Sequence, residues 1–241
     1  MRRTLLPTLL LLLSTSVFAQ SVEEQIQTQI KKIDAGIPVV SIEKAPIPGM
    51  YEVELGSGEV LYTDEKGEFF LLGNLYQLSD AEGFVSLTDK KQNAQREKEM
   101  AALDDSDLVI YPAQGTEKAS VFVFTDVDCP YCRKLHDEVP KLQAQGVTVK
   151  YLAFPRQGPG SPVHKKMESI WCAEDRNAAM DQSKQGKSVA SATCENPVID
   201  QYMLGQKAGV TGTPAIVTAQ GKLIPGYMPA SRLIELIKAD S

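Results

Sequence analysis

The apolar positions change period three times along the chain. Ile26, Ile30 and Ile33 stand at helical spacing among Glu, Gln and Lys, which predicts a short amphipathic helix over 22–34, stopped by Gly36 and Pro38. From Val39 to about Leu78 the period falls to two. The runs 50–55, 59–63 and 68–72 are separated by Gly56-Ser57-Gly58 and Asp64-Glu65-Lys66-Gly67, the pattern of antiparallel strands joined by short turns. Residues 88–103 are strong helix formers without an apolar stripe until Met100, so a solvated helix is expected. At 1.5 Å per residue it would hold its two ends roughly 20–25 Å apart. A disordered linker is the alternative, because an isolated helix of this length is marginal in water.

A different regime begins at Leu108. The stretch Val121-Phe122-Val123-Phe124 is apolar at every position, as in a strand covered on both faces. With the apolar run 108–111, a helix from Cys129 towards Gln145 and a strand over 147–154, it makes a right-handed strand-helix-strand unit. Helices are expected within 156–208, around Ile170 and Trp171. Then come a strand over 210–218, a turn at Gln220-Gly221, a strand over 222–224, and a last helix over 231–238 carrying Leu233, Ile234 and Ile237. Fold class is therefore α+β with an α/β catalytic part. The domains run 1–19 signal peptide, 20–82 N-terminal dimerisation domain, 83–107 linker helix, and 108–241 catalytic domain with a helical insert over 156–208. Dimerisation is expected because about 60 residues bury too little surface to be stable alone, and no disulfide or metal residue helps them; a monomeric β-rich accessory domain is the alternative.

Arg2 and Arg3, an apolar run from Leu5 to Leu13, and small residues up to Ala19 form a signal-peptide pattern. The run is shorter than the about 20 residues that span a bilayer, so an exported chain without membrane insertion is expected. The charge of −6 becomes −8 once those arginines are gone, and the basic residues between Lys90 and Glu99 are interleaved with acids. Both observations argue against nucleic-acid binding.

Four cysteines fall into two pairs. Cys129 and Cys132 lie at the junction of strand and helix. Pro130 suits the first helical turn, so Cys129 sits at the helix N-terminus, where unpaired N–H groups favour a thiolate over the free thiol value of roughly 8.5. Asp126 and Asp128 oppose this if they point at the sulfur. The pair is read as a redox centre. The alternatives are an inert bridge or half a zinc site with His136, the latter short of ligands because there is no second Cys-x-x-Cys or paired histidine. His136 itself is read as a surface or second-turn helix residue rather than a base. Cys172 and Cys194 are read as a structural disulfide in an oxidising compartment, with a second exchange site as the alternative. Pro214, after Gly212-Thr213 at the start of an apolar strand, is placed for a cis bond that leaves the Thr213 backbone free for a substrate strand.

Cys129-Pro130-Tyr131-Cys132 at a helix start, with the later Gly212-Thr213-Pro214, resembles the thioredoxin fold. The chain is similar in particular to the periplasmic disulfide isomerases of the DsbC/DsbG family. Val123-Phe124-Thr125-Asp126, the run from Tyr151 through Phe154-Pro155-Arg156-Gln157 to Gly158, Ile170-Trp171-Cys172-Ala173 and Pro225-Gly226-Tyr227 carry that likeness. It implies a periplasmic homodimer with Cys129 and Cys132 as catalytic residues. It also implies a cis Pro214 packed against them, substrate contacts from Thr213, Pro214, Pro130 and Tyr131, and a structural Cys172–Cys194 bridge. The expected partners are unfolded or misoxidised exported proteins and a membrane thiol reductant of the DsbD type. No metal or other cofactor beyond the redox-active cysteine pair is expected, and chaperone activity accompanies the isomerase. This chain has Pro130-Tyr131 where DsbC-like proteins usually have Gly-Tyr, a dipeptide that tunes thiolate stability and reduction potential. An exported thiol oxidase or reductase, and a periplasmic holdase, are the rival functions.

Overall fold

A computed structural model describes residues 20–240; the segment 1–19, read above as a signal peptide, lies outside the described residues. Helix α1 (Val22–Ile33) opens with a capping box in which Ser21 and Glu24 satisfy each other's backbone N–H groups. It buries Ile26 and Ile30 against Tyr51, Val53 and Leu61. Ile33, grouped with them by spacing, is the last residue of the helix and stays exposed.

Strands β1 (Val39–Lys44), β2 (Met50–Leu55), β3 (Val60–Asp64) and β4 (Phe70–Leu72) form an antiparallel sheet in chain order. The meander stops there. The chain turns at Gly73, whose φ of +148° is open mainly to glycine, and β5 (Tyr76–Ser79) pairs instead with β6 (Gly83–Ser86) as a separate hairpin. β6 occupies the start of the stretch assigned to the linker.

Helix α2 (Leu87–Ala101) is not bathed in solvent on all sides. Near its start, Thr88 shares a 2.6 Å hydrogen bond with the Tyr62 hydroxyl and accepts from the Leu75 N–H, while Lys91 bridges Glu43 and Glu52. Towards its end, Arg96 is buried and donates to the carbonyl oxygens of Gly221 and Ala208 at 2.7 and 3.3 Å. Met100 enters the core with Leu108, Phe122, Phe124 and Leu152. A buried arginine is tolerated when its N–H groups meet acceptors, and a polar pattern does not reveal those acceptors.

Beyond α2 lies a five-stranded sheet built from β7 (Val109–Tyr111), β8 (Ala119–Thr125), β9 (Val147–Ala153), β10 (Ala215–Thr218) and β11 (Leu223–Pro225). The order is β11-β10-β8-β9-β7; only β8 and β9 are parallel. The expected helix over 129–145 is two helices, α3 (Pro130–His136) and α4 (Val139–Ala144). Pro140 at the start of α4 explains the break, since it has no N–H for a helical bond back to His136. Helices α5 (Pro162–Trp171), α6 (Arg176–Lys184) and α7 (Val198–Lys207) form the insert, and α8 (Ala230–Asp240) closes the chain. The strand expected over 210–218 starts only at Ala215, leaving Thr211 to Thr213 as a loop.

Gly221 in the β10–β11 turn has φ +77°, and a Cβ there would lie 1.8 Å from the Asn93 carbonyl oxygen on α2. Gly221→Ala is therefore expected to destabilise the protein by more than the ~1–2 kcal/mol that a left-handed backbone alone imposes. Denaturant unfolding checks this; a midpoint equal to that of the parent would contradict the packing of α2 on the turn.

Candidate active site

Strand β8, apolar and buried from Val121 to Phe124, leads through buried Thr125 into the turn before α3. Cys129 caps α3 with Pro130 in its first turn, and its carbonyl accepts from the Arg133 N–H. Cys132 sits one turn in. Both are free thiols in residues only 1% exposed. The Cys129 thiol donates to the Thr213 carbonyl oxygen at 3.2 Å, tying α3 to the loop before β10, and the Thr213–Pro214 peptide is cis. Cys129, Cys132, Thr213 and buried Pro214 thus come together, while Pro130 and Tyr131 face solvent.

The two thiols are shifted in opposite directions. For Cys129, burial pushes the pKa up. The Thr213 side chain, the Cys132 N–H and thiol, and the charge on Arg156 outweigh it, and the net direction is down. For Cys132, burial also pushes up, and the opposing influence of Lys184, the Asp126 N–H, Thr125 and Thr213 is too small, so the thiol stays protonated at higher pH. The conflict posed by Asp126 and Asp128 is resolved by their partners. Asp126, 1% exposed, accepts from the N–H and Nε of Arg156 and from the Asp128 N–H. Asp128 pairs with Lys166 at 2.7 Å and lies 3.5 Å from Arg133. Each carboxylate next to the sulfurs is offset by a cation.

His136 is not a surface residue. At the end of α3 its ring turns inward, with Nδ1 3.1 Å from the Tyr151 hydroxyl and Nε2 3.1 Å from Asp181, and burial lowers its pKa. Among the described residues no group of three or more His, Cys, Asp or Glu side chains is arranged to hold a metal ion. Cys172, at the C-terminal end of α5, is disulfide-bonded to Cys194, with Cα atoms 5.6 Å apart.

Four residues of the site carried no assigned role on sequence grounds: Thr125, Arg156, Lys166 and Lys184. Arg156 lies inside the quoted Phe154-Pro155-Arg156-Gln157 run, but its pairing with Asp126 spans 30 positions. For Lys184 the available signal was its place four residues after Met180, which puts both on the buried face of α6.

A Cys-x-x-Cys at a helix start after β8, touching the cis-proline loop that leads into the neighbouring β10, defines a thioredoxin-like domain. The thioredoxin-like domain family model matches residues 105–240, and the model of the disulfide bond isomerase protein N-terminal domain matches residues 17–89. The chain is 42% identical over 227 residues to the thiol:disulfide interchange protein DsbC of Escherichia coli (strain K12), covering 94% of this chain and 92% of that one. It is 38% identical over 230 residues to DsbC of Dickeya dadantii (strain 3937), covering 95% and 92%. A solved disulfide interchange protein from Neisseria gonorrhoeae is 33% identical with a TM-score of 0.51, covering 57% of this chain and 97% of its own. The chain belongs to the DsbC family of thiol:disulfide interchange proteins. No helix among the described residues is long and apolar enough to cross a membrane.

In the reduced protein, thiolate absorbance is expected to rise in two separate steps, Cys129 below the ordinary thiol value and Cys132 above it. Because the Cys129 pKa is lowered, its thiolate persists to lower pH than a free thiol and is lost as pH falls through the shifted value. Arg156→Met removes a cation and leaves Asp126 unpaired, so the first step should move to higher pH. A first step unmoved in that variant would refute the electrostatic account.

Proposed function

We propose that the chain is an exported, homodimeric disulfide isomerase in which Cys129 attacks and Cys132 releases. The reading is carried by one observation: the Cys129 sulfur lies at a helix start, 3.2 Å from a loop carbonyl of Thr213. The Cys129 thiolate attacks a wrongly paired disulfide of an exported protein; a new S–S bond forms and a substrate thiolate leaves. A second substrate thiol then displaces Cys129, which completes isomerisation. Where none arrives, Cys132 attacks Cys129 and releases reduced substrate. The loop Thr211 to Thr213 and Pro225-Gly226 line a groove beside the sulfur, which suits an extended peptide pairing with the Thr213 backbone. Pro214 backs that contact, and Pro130 and exposed Tyr131 meet the peptide from the α3 side. A membrane reductant of the DsbD type would return Cys129 and Cys132 to the dithiol form.

The division of labour follows the domains: 1–19 for export to the periplasm, 20–82 for dimerisation, 83–107 as linker, and 108–241 for catalysis, with 156–208 inserted and tied by Cys172–Cys194. Dimerisation is supported by the exposed apolar side chains Phe69, Leu71, Leu72, Leu78 and Phe84, three of them on or beside the edge strand β4. An oxidase or reductase would use the same cysteines at a different potential, and a holdase would need neither. Measuring the reduction potential and the repair of scrambled ribonuclease separates these three readings.

Cys129→Ser is expected to abolish exchange, whereas Cys132→Ser accumulates mixed disulfides and keeps part of the isomerase activity. Equal loss in both variants without a trapped adduct would overturn the assigned roles. Light scattering of the mature protein at micromolar concentration should give twice the chain mass, and a monomer would count against the dimerisation surface.

A further inference from the structure

Lys184, at the end of α6, is 4% exposed, and the steps described so far leave it without a task. An ammonium group taken out of water needs compensation. Here the Asp126 carboxylate is committed to Arg156. Lys184 Nζ instead meets the Thr125 hydroxyl at 2.5 Å and the Asp126 carbonyl oxygen at 3.3 Å, and lies over the Tyr151 ring. The Cys132 sulfur accepts from the Asp126 N–H at 3.5 Å, and the Thr125 hydroxyl is a further group that favours its thiolate. A buried thiol, a hydroxyl and a buried amine therefore lie together beside the cysteine pair.

We propose that Lys184 accepts the proton of Cys132, through the Thr125 hydroxyl, when Cys132 attacks the mixed disulfide on Cys129. The thiol proton passes to the Thr125 oxygen as the Thr125 hydroxyl proton passes to the neutral amine. The Cys132 sulfur bonds to the Cys129 sulfur, the bond from Cys129 to substrate breaks, and its electron pair leaves with the substrate thiolate. The substrate disulfide has then gained two electrons, the cysteine pair has lost two, and Lys184 is an ammonium. When a reductant opens the Cys129–Cys132 disulfide, the same proton returns to Cys132.

Burial brings the Lys184 pKa down to about 8, so part of the amine is neutral near neutral pH. The charged and titratable groups around it are Cys129, Cys132, Arg133 and His136 from α3, Asp126 after β8, Tyr151 from β9, and Asp181 on α6 itself. Cys132, Asp126 and Cys129 hold the proton on Lys184 and Arg133 repels it, but burial outweighs them all. Release by Cys132 should accelerate as pH rises through the Lys184 value.

The inference rests on Cys132 being the releasing sulfur, and rapid mixing of reduced protein with an excess of a chromogenic aryl disulfide tests the two separately. Attack by Cys129 gives a first phase that depends on reagent concentration; attack by Cys132 gives a second that does not. Lys184→Met, similar in length and free of the buried charge, is expected to slow the second phase by about ten- to hundredfold near neutral pH, within the usual reach of a positioned proton acceptor. It should also remove the inflection near pH 8 from that phase. Thr125→Val, which keeps the lysine and breaks the relay, should do the same. Lys184→Arg keeps a cation that cannot act as a base and should not restore the rate. A second phase of parental rate and pH dependence in Lys184→Met or Thr125→Val, or full rescue by Lys184→Arg, would overturn the proposal. A second phase surviving in Cys132→Ser would instead remove the role given to Cys132.

Discussion

One buried carboxylate holds the turn from which both cysteines hang. Asp126 accepts from the N–H and side chain of Arg156 and from the Asp128 N–H, its own N–H points at the Cys132 sulfur, and its carbonyl oxygen accepts from the Cys129 N–H at 3.2 Å. The residue thus fixes the path from β8 into α3 and touches the backbone or sulfur of each thiol. Asp126 is buried while Arg156 is half-exposed, so removing the arginine would leave a buried carboxylate without its cation. The value of the pair lies in geometry: the carboxylate that would otherwise repel a thiolate is neutralised by the guanidinium that favours one.

From that turn follows the inequality of two identical side chains three positions apart. Cys129 faces the loop and the Arg156 charge; Cys132 faces the interior, where burial outweighs everything that would ionise it. A nucleophile has to be ionised and reached, whereas a releasing group has to wait as a thiol until a partner is attached. One helical turn separates the two conditions. The Lys166–Asp128 pair belongs to the same scheme, because it neutralises the second carboxylate next to the Cys129 sulfur.

How much of this was legible depended on the range over which each feature is written. The strand-to-helix junction at Cys129, the proline after it and the alternation of β2 and β3 are local, and apolar spacing with turn residues sufficed to read them. The break between α3 and α4 was also local, since Pro140 stood inside the supposed helix, but the apolar spacing of Val139 and Leu142 masked it. The burial of α2 was not local at all. Arg96 looks like a solvated charge until the carbonyls of Gly221 and Ala208, more than a hundred positions away, are brought to it. Lys184 was hidden for the same reason: its partners Thr125 and Asp126 lie 59 and 58 positions earlier in the chain.

The anchoring of α2 also bears on what the N-terminal domain does. The helix grips the β10–β11 hairpin at its turn, through Gly221, while the other end of β10 begins directly after Thr213-Pro214. Gly58, in the β2–β3 turn, approaches the Lys207 carbonyl so closely that a Cβ there would lie 1.9 Å from it, and Lys207 pairs with Glu99 of α2. The N-terminal sheet is therefore seated on α2 and on the end of α7, and α2 in turn is seated on the hairpin next to the loop beside Cys129. Its distance from the sulfurs is set by contacts with backbone carbonyls, not by the stiffness of a free helix. Apolar side chains exposed on that sheet are consequently held at a defined position relative to the thiol pair.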